Sequence, residues 1–247
     1  MLRHLEKNKY RALRIAVALL LLLLFLGPSA AAQGLLQGDS VARPVTPREM
    51  FAFFFLMLGP IKILGPFVQM TRKADSTFTR RLAVRAFLVS CASLLFAGFI
   101  GEWSMRRYHI SVPVLAIAAG IILFLIALQT VMQQFDAEGY EPRTYESSLR
   151  LAISPLAFPT IVTPYGIAAV IVCMTLTPDF ITRGAILGAL LGLMLLNLVA
   201  MLFAHPILKY LGMPMQIVGI VLGVIQVALG LQIIVIGLRG LGVLPRP

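Results

Sequence analysis

Gly59-Pro60-Ile61-Lys62-Ile63-Leu64-Gly65-Pro66-Phe67 interrupts an apolar run, 50–70, that is otherwise long enough to cross a bilayer. A hydrocarbon core takes about 20 helical residues at roughly 1.5 Å each. Proline removes a helical donor and crowds the preceding turn, so two Gly-Pro pairs in this run predict a spanning helix that is broken or sharply kinked. Broken backbone at membrane depth is tolerated only where protein or a wet cavity takes up the freed polar groups. The stretch therefore points to a polytopic membrane protein with a polar site inside it.

Working outward, further apolar runs lie at 84–103, 112–132, 151–174, 185–204 and 215–238. Of the 247 residues, 59% are hydrophobic and 13% charged, against about half and a quarter in soluble domains. The expected fold is all-α, with six core transmembrane helices. The fourth run carries Pro155, Pro159, Pro164 and Gly166 and is the second one predicted to break. Interruptions in the first and fourth spans divide the core into halves at 50–132 and 151–238, the arrangement of a 3+3 repeat. An odd number of spans per half makes that repeat inverted. Ser111-Val112-Pro113-Val114 is echoed by Gly212-Met213-Pro214-Met215, and the same offset carries Gly65 onto Gly166. Paired broken segments in two halves are the sequence mark of a transporter site.

The net charge of +11 raises the question of nucleic acid, but the positions of the cations answer it. Arg3, Lys7, Lys9, Arg11 and Arg14 precede the first apolar segment, and Arg72, Lys73, Arg80, Arg81 and Arg85 lie between two spans. This is the pattern of cytoplasmic flanks, so the expected partner is the lipid bilayer and no nucleic acid is expected. Residues 1–32 read as a signal peptide or signal anchor: a basic end, an apolar stretch, Gly27-Pro28 and the small residues Ser29 to Ala32. Residues 33–49 would follow outside the cytoplasm. The loop 133–150 would lie inside it, and 239–247 form the C-terminal tail. The expected location is a bacterial inner membrane. Cys91 and Cys173 fall inside spans, with no disulfide framework or zinc spacing, and no cofactor or metal is expected.

Candidate binding residues gather at the two breaks: Gly59, Pro60, Lys62, Gly65 and Pro66 in the first, and Pro159, Thr160, Thr163, Pro164, Tyr165 and Gly166 in the second. Lys62 either snorkels from a tilted half-helix or serves a permeation pathway, since a lysine at depth needs water or a partner. The hydroxyls of Thr160, Thr163 and Tyr165 either repair freed backbone or bind a small polar ligand. Half-helix N-termini suit a carboxylate and exposed carbonyls an ammonium or coupling cation, so a zwitterionic amino acid would satisfy both. Asn197 in mid-span is either an interhelical bond or a ligand, and Gln129, Gln226 and Gln232 carry the same two readings. Glu102, followed by Arg106 and Arg107, reads as an interfacial ion pair, and Gly188/Gly192 and Gly219/Gly223 as close helix packing. His4, His109 and His205 form no metalloprotease pair, and no nucleophile elbow or phosphate loop is present. No enzyme is expected.

The run 59–67, together with Gly98-Phe99-Ile100-Gly101-Glu102, Ile110-Ser111-Val112-Pro113, the stretch 118–128, Pro155-Leu156-Ala157-Phe158-Pro159 and Pro164-Tyr165-Gly166, resembles the MarC family of bacterial integral membrane proteins over about 50–238. The resemblance implies a six-helix inner-membrane protein of two three-helix halves, with some relatives assigned as transporters of small neutral amino acids. Members tend to carry Asp or Asn before the first proline and Gly-Asn shortly after it; Gly59, Lys62 and Ile63 stand there instead. The expectation is a secondary transporter or exporter of small polar metabolites, most simply small neutral amino acids, held between the broken spans and coupled to Na⁺ or H⁺. The alternative is a non-transporting membrane scaffold or stress-linked accessory protein. A channel is disfavoured because no span carries a ring or run of charge. The oligomeric state is left open.

Overall fold

The computed structural model describes residues 47–132, 148–177 and 180–245. The signal or anchor segment and most of the two flanking loops read from the sequence lie outside these residues. All regular structure among the described residues is helical: α1 (Pro47–Leu58), α2 (Ile61–Thr71), α3 (Ser76–Arg107), α4 (Val112–Met132), a tight turn at Leu149–Ala152, an irregular segment Ile153–Ile161, α5 (Pro164–Leu176), α6 (Phe180–Leu202) and α7 (Ala204–Gly240). Among the described residues, five helices are long and apolar enough to cross a membrane, α1 and α2 counting as one through Phe53–Thr71. The count is six when Leu149–Ile161 and Pro164–Leu176, bent by 64°, form one broken span.

Several boundaries move for local reasons. α3 begins at Ser76, well before the expected 84–103, because the Asp75 side chain accepts the Phe78 amide at 2.7 Å and caps the helix there. The basic connection is therefore helical from Ser76 onward. α3 closes on Arg106 and Arg107, cations at the negative end of its dipole. The fifth and sixth runs are joined through Phe203 alone, and α7 continues from Ala204. Pro206 lies in its first turn, where no helical donor is required. At Gly65-Pro66 the expected break does not occur. α2 passes through both residues, with open space around Gly65; Pro66 forfeits one helical bond, a loss that membrane helices tolerate.

The halves interlock by exchange. α1 packs on α6 and α2 on α7, while the irregular segment packs on α3 and α5 on α3 and α4. The most extensive contact is between α4 and α7. They run antiparallel, since Gly223 faces Val131, Gly230 faces Phe124, and Gly237 and Gly240 face Pro113. A Cβ on Gly230 would stand 2.8 Å from the Phe124 amide nitrogen and 3.0 Å from the Gly120 carbonyl oxygen, so this crossing is backbone on backbone. By contrast, Gly188, Gly192 and Gly219 have open space around them. Of the glycine spacings read as close packing, only Gly223 makes such a contact. The broken first span is the most enclosed, and Phe54, Met57, Leu58, Leu64 and Phe67 are buried. Phe96, Phe99, Trp103 and Leu125 face outward, toward lipid.

Gly230→Ala drives a methyl group into main chain that cannot step aside. It should cost about 1–3 kcal/mol of stability and lower the thermal midpoint of the detergent-solubilised protein. Gly188→Ala, in open space, should leave that midpoint unchanged; equal effects from the two would contradict the packing described.

Candidate functional site at the paired helix breaks

An α-helix leaves its last carbonyls without partners, and Pro60, having no N–H, cannot serve the carbonyl four residues before it. α1 ends at Leu58, so the carbonyls of Leu56, Met57 and Leu58 need donors from elsewhere. Each obtains one from a different helix. Gln226 of α7 donates Nε2 to the Leu56 oxygen at 2.6 Å, Lys62 of α2 donates Nζ to the Met57 oxygen, and Asn197 of α6 donates Nδ2 to the Leu58 oxygen at 2.8 Å. Gly59 permits the turn, because a Cβ there would lie 2.0 Å from the Phe55 oxygen. α2 then restarts at Ile61 with no side-chain cap, Pro60 lying just before it.

The second break is built by residues that precede prolines. Ser154, Phe158 and Thr163 are all extended (φ/ψ −134/130, −128/128 and −87/150), as the following proline ring demands. The peptide bonds Ser154–Pro155 and Phe158–Pro159 are cis. The Thr160 hydroxyl donates to the Pro155 oxygen at 2.7 Å, and the Val162 amide to the Ala157 oxygen at 2.8 Å. Thr163 caps α5 by accepting the Gly166 amide at 3.2 Å, with Pro164 at the first helical position. Here the hydroxyls of Thr160 and Thr163 repair backbone.

The two breaks touch. Lys62 Nζ donates to Tyr165 Oη at 2.8 Å and lies 4.9 Å from the centre of that ring, within cation–π range. A Cβ on Gly166 would stand 2.4 Å from Leu58 Cδ2, so glycine lets the end of α1 sit against the start of α5. Lys62 therefore points inward and does not snorkel. Asn197, 1% exposed, uses its amide nitrogen on Leu58 and leaves Oδ1 buried with no hydrogen-bond partner among the described residues. Lysine has three N–H donors, of which two are engaged here.

Of the residues singled out in the sequence, Gly59, Pro60, Lys62, Tyr165, Gly166 and Asn197 converge on this junction. Thr163 and Pro164 open the helix that forms one wall. Pro159 and Thr160 belong to the outer part of the second break, and Pro159 is exposed. Gly65 and Pro66 lie inside α2. What the sequence did not single out is which donors would meet the main-chain oxygens of residues 56–58. Gln226 was visible as a mid-span amide, without its partner.

A second polar centre lies elsewhere. Buried Glu102 accepts from Arg106 at 2.7 Å and from Arg183 at 2.6 Å, and Arg183 also donates Nε to the Thr177 oxygen at 2.6 Å. The ion pair read at the end of the second span thus also ties α3 to the first turn of α6 and, through Arg183, to Thr177 at the end of α5. His205 is exposed, with Nε2 3.4 Å from Thr71 Oγ1.

Residues 48–242 match the family model of the MarC family integral membrane proteins. A UPF0056 membrane protein of Methanocaldococcus jannaschii is 28% identical over 194 residues, covering 77% of this chain and 94% of its own length. The UPF0056 membrane protein YhcE of Escherichia coli is 24% identical over 200 residues, covering 78% and 92%. A further UPF0056 membrane protein, from Archaeoglobus fulgidus, is 25% identical over 166 residues, covering 66% and 77%. No solved structure matches the chain.

Asn197→Leu removes the donor to the Leu58 carbonyl and strands a buried acceptor, at a cost of about 1–3 kcal/mol. Thermal unfolding in detergent should show the loss, with Gln129→Leu, at an exposed position of α4, close to wild type. A neutral Asn197→Leu would contradict the assigned bond.

Proposed function

Because the chain belongs to the MarC family of integral membrane proteins, we propose that it is a secondary transporter of small polar metabolites, most simply small neutral amino acids, bound where its two broken spans meet. It moves its cargo without converting it, and works in a bacterial inner membrane. The observation that carries this reading is the junction itself. Unspent polar capacity among the described residues, the buried Oδ1 of Asn197 and the third N–H of Lys62, lies at the end of α1, where Lys62 meets the Tyr165 phenol and Leu58 meets Gly166 of α5.

That chemistry suits a zwitterion. A carboxylate gains from the Lys62 amino group and from the positive end of the α5 dipole, and an ammonium from Asn197 Oδ1. The contact of Leu58 with Gly166 leaves little room for a substrate side chain, which favours glycine and alanine. Entry requires α1 and α5 to separate there. Exchange packing between the halves supports movement of one broken span against the other half, as in alternating access.

One observation favours the second reading, a membrane scaffold whose breaks are purely structural: the carbonyls of Leu56, Met57 and Leu58 are all already satisfied by protein. Flux separates the two. Proteoliposomes holding the purified chain should take up or exchange labelled glycine or alanine above protein-free vesicles. Gly166→Ala, whose added methyl meets the flexible end of Leu58, should reduce that flux at least tenfold, with the amount of folded protein in the membrane measured alongside. No flux under ion gradients or under exchange would overturn the transport reading.

A further inference from the structure

The Lys62 amino group sits among ligands of the kind that hold a monovalent cation. It contacts the main-chain oxygen of Met57, at the C-terminal and hence negative end of α1, the phenol oxygen of Tyr165, and the face of the Tyr165 ring. All are neutral. Among the described residues both ion pairs belong to Glu102, and Asp75 caps α3, so no carboxylate pairs with Lys62. The flanking carbonyls of Leu56 and Leu58 are taken by uncharged amides. Among the described residues, this part-buried charge therefore rests on carbonyl, hydroxyl and ring. The broken ends of transport helices present carbonyl groups of this kind to coupling ions.

We propose that the tethered ammonium of Lys62 occupies a monovalent-cation site at the end of α1, serving as a built-in replacement for a dissociable coupling ion. Two consequences follow. The wild-type protein needs no Na⁺ to complete the junction, and shortening Lys62 opens a site that a dissociable cation fills. The inference rests on the transport reading only for its effect on flux. Occupancy of the site does not depend on any substrate.

The test uses the full-length protein in detergent, with thermal midpoints measured in choline chloride and in NaCl, KCl or ethylammonium chloride at constant ionic strength. Wild type should show no difference among these salts. Lys62→Ala should have a lowered midpoint in choline, raised saturably by Na⁺, K⁺ or ethylammonium, by about 5 °C at a hundredfold excess over Kd. Lys62→Gln, which keeps much of the side-chain volume, should behave in the same direction and decides the matter if Lys62→Ala is not recovered. Recovery of either variant only in the presence of one of the small cations also supports the site. Indifference of the folded variants to cation, a salt-specific shift of equal size in wild type, or failure of both variants to fold in every salt would overturn it. In proteoliposomes, wild-type glycine flux should be the same with and without Na⁺, and Lys62→Ala flux should fall at least fivefold when Na⁺ is replaced by choline. A cation-dependent midpoint without any flux would leave the cation site standing and remove the transport reading; flux without it would do the reverse.

Discussion

A carbonyl stripped of its helical partner inside hydrocarbon has no water to turn to, and an unsatisfied one costs several kcal/mol. Ending α1 at Leu58 creates three such groups in succession, and the rest of the structure is arranged to meet them. Gln226, Lys62 and Asn197 come from α7, α2 and α6, and each donates to one of these oxygens. Two helices distant in sequence, α6 and α7, and the adjoining α2 are thereby fixed around one turn of main chain. The close antiparallel crossing of α4 on α7 anchors the helix that carries Gln226.

The second break answers its own needs locally. Its prolines force extended residues, Thr160 and Thr163 take up the freed groups, and α5 restarts with a cap in place. The two breaks thus differ in kind: the first draws two of its three donors from distant helices, the second is satisfied mainly by its own hydroxyls. They meet through Lys62 and Tyr165 and through Leu58 against Gly166. A break held by long-range donors can be rearranged when those donors move. A self-satisfied break can travel as a unit. That difference is the physical basis of the proposed transport reading.

The sequence made the spans, the broken first and fourth helices and most of the junction residues legible, because Gly-Pro spacing and hydropathy act locally. It misplaced the break at Gly65-Pro66, where a proline inside a short apolar helix forfeits one bond and the helix continues. Glycine spacing pointed to Gly188 and Gly192, which stand open, while the real backbone contact uses Gly120, Gly230 and Gly237. Close packing requires a partner as well as a small residue, and one strand of sequence does not name the partner. The direction of Lys62 was equally beyond it: snorkelling and inward bonding differ only by the placement of Tyr165, 103 residues away. Gly59-Pro60 announced that carbonyls just before the break would be freed, but not which donors would meet them.

The claim on which the account turns is that the two breaks form one joined site through Lys62 and Tyr165. A double-mutant cycle of Lys62→Met and Tyr165→Phe, read by unfolding of the purified protein in detergent, tests it most directly. The account predicts a coupling between the two positions of about 0.5–3 kcal/mol. Effects that add within about 0.5 kcal/mol would contradict it.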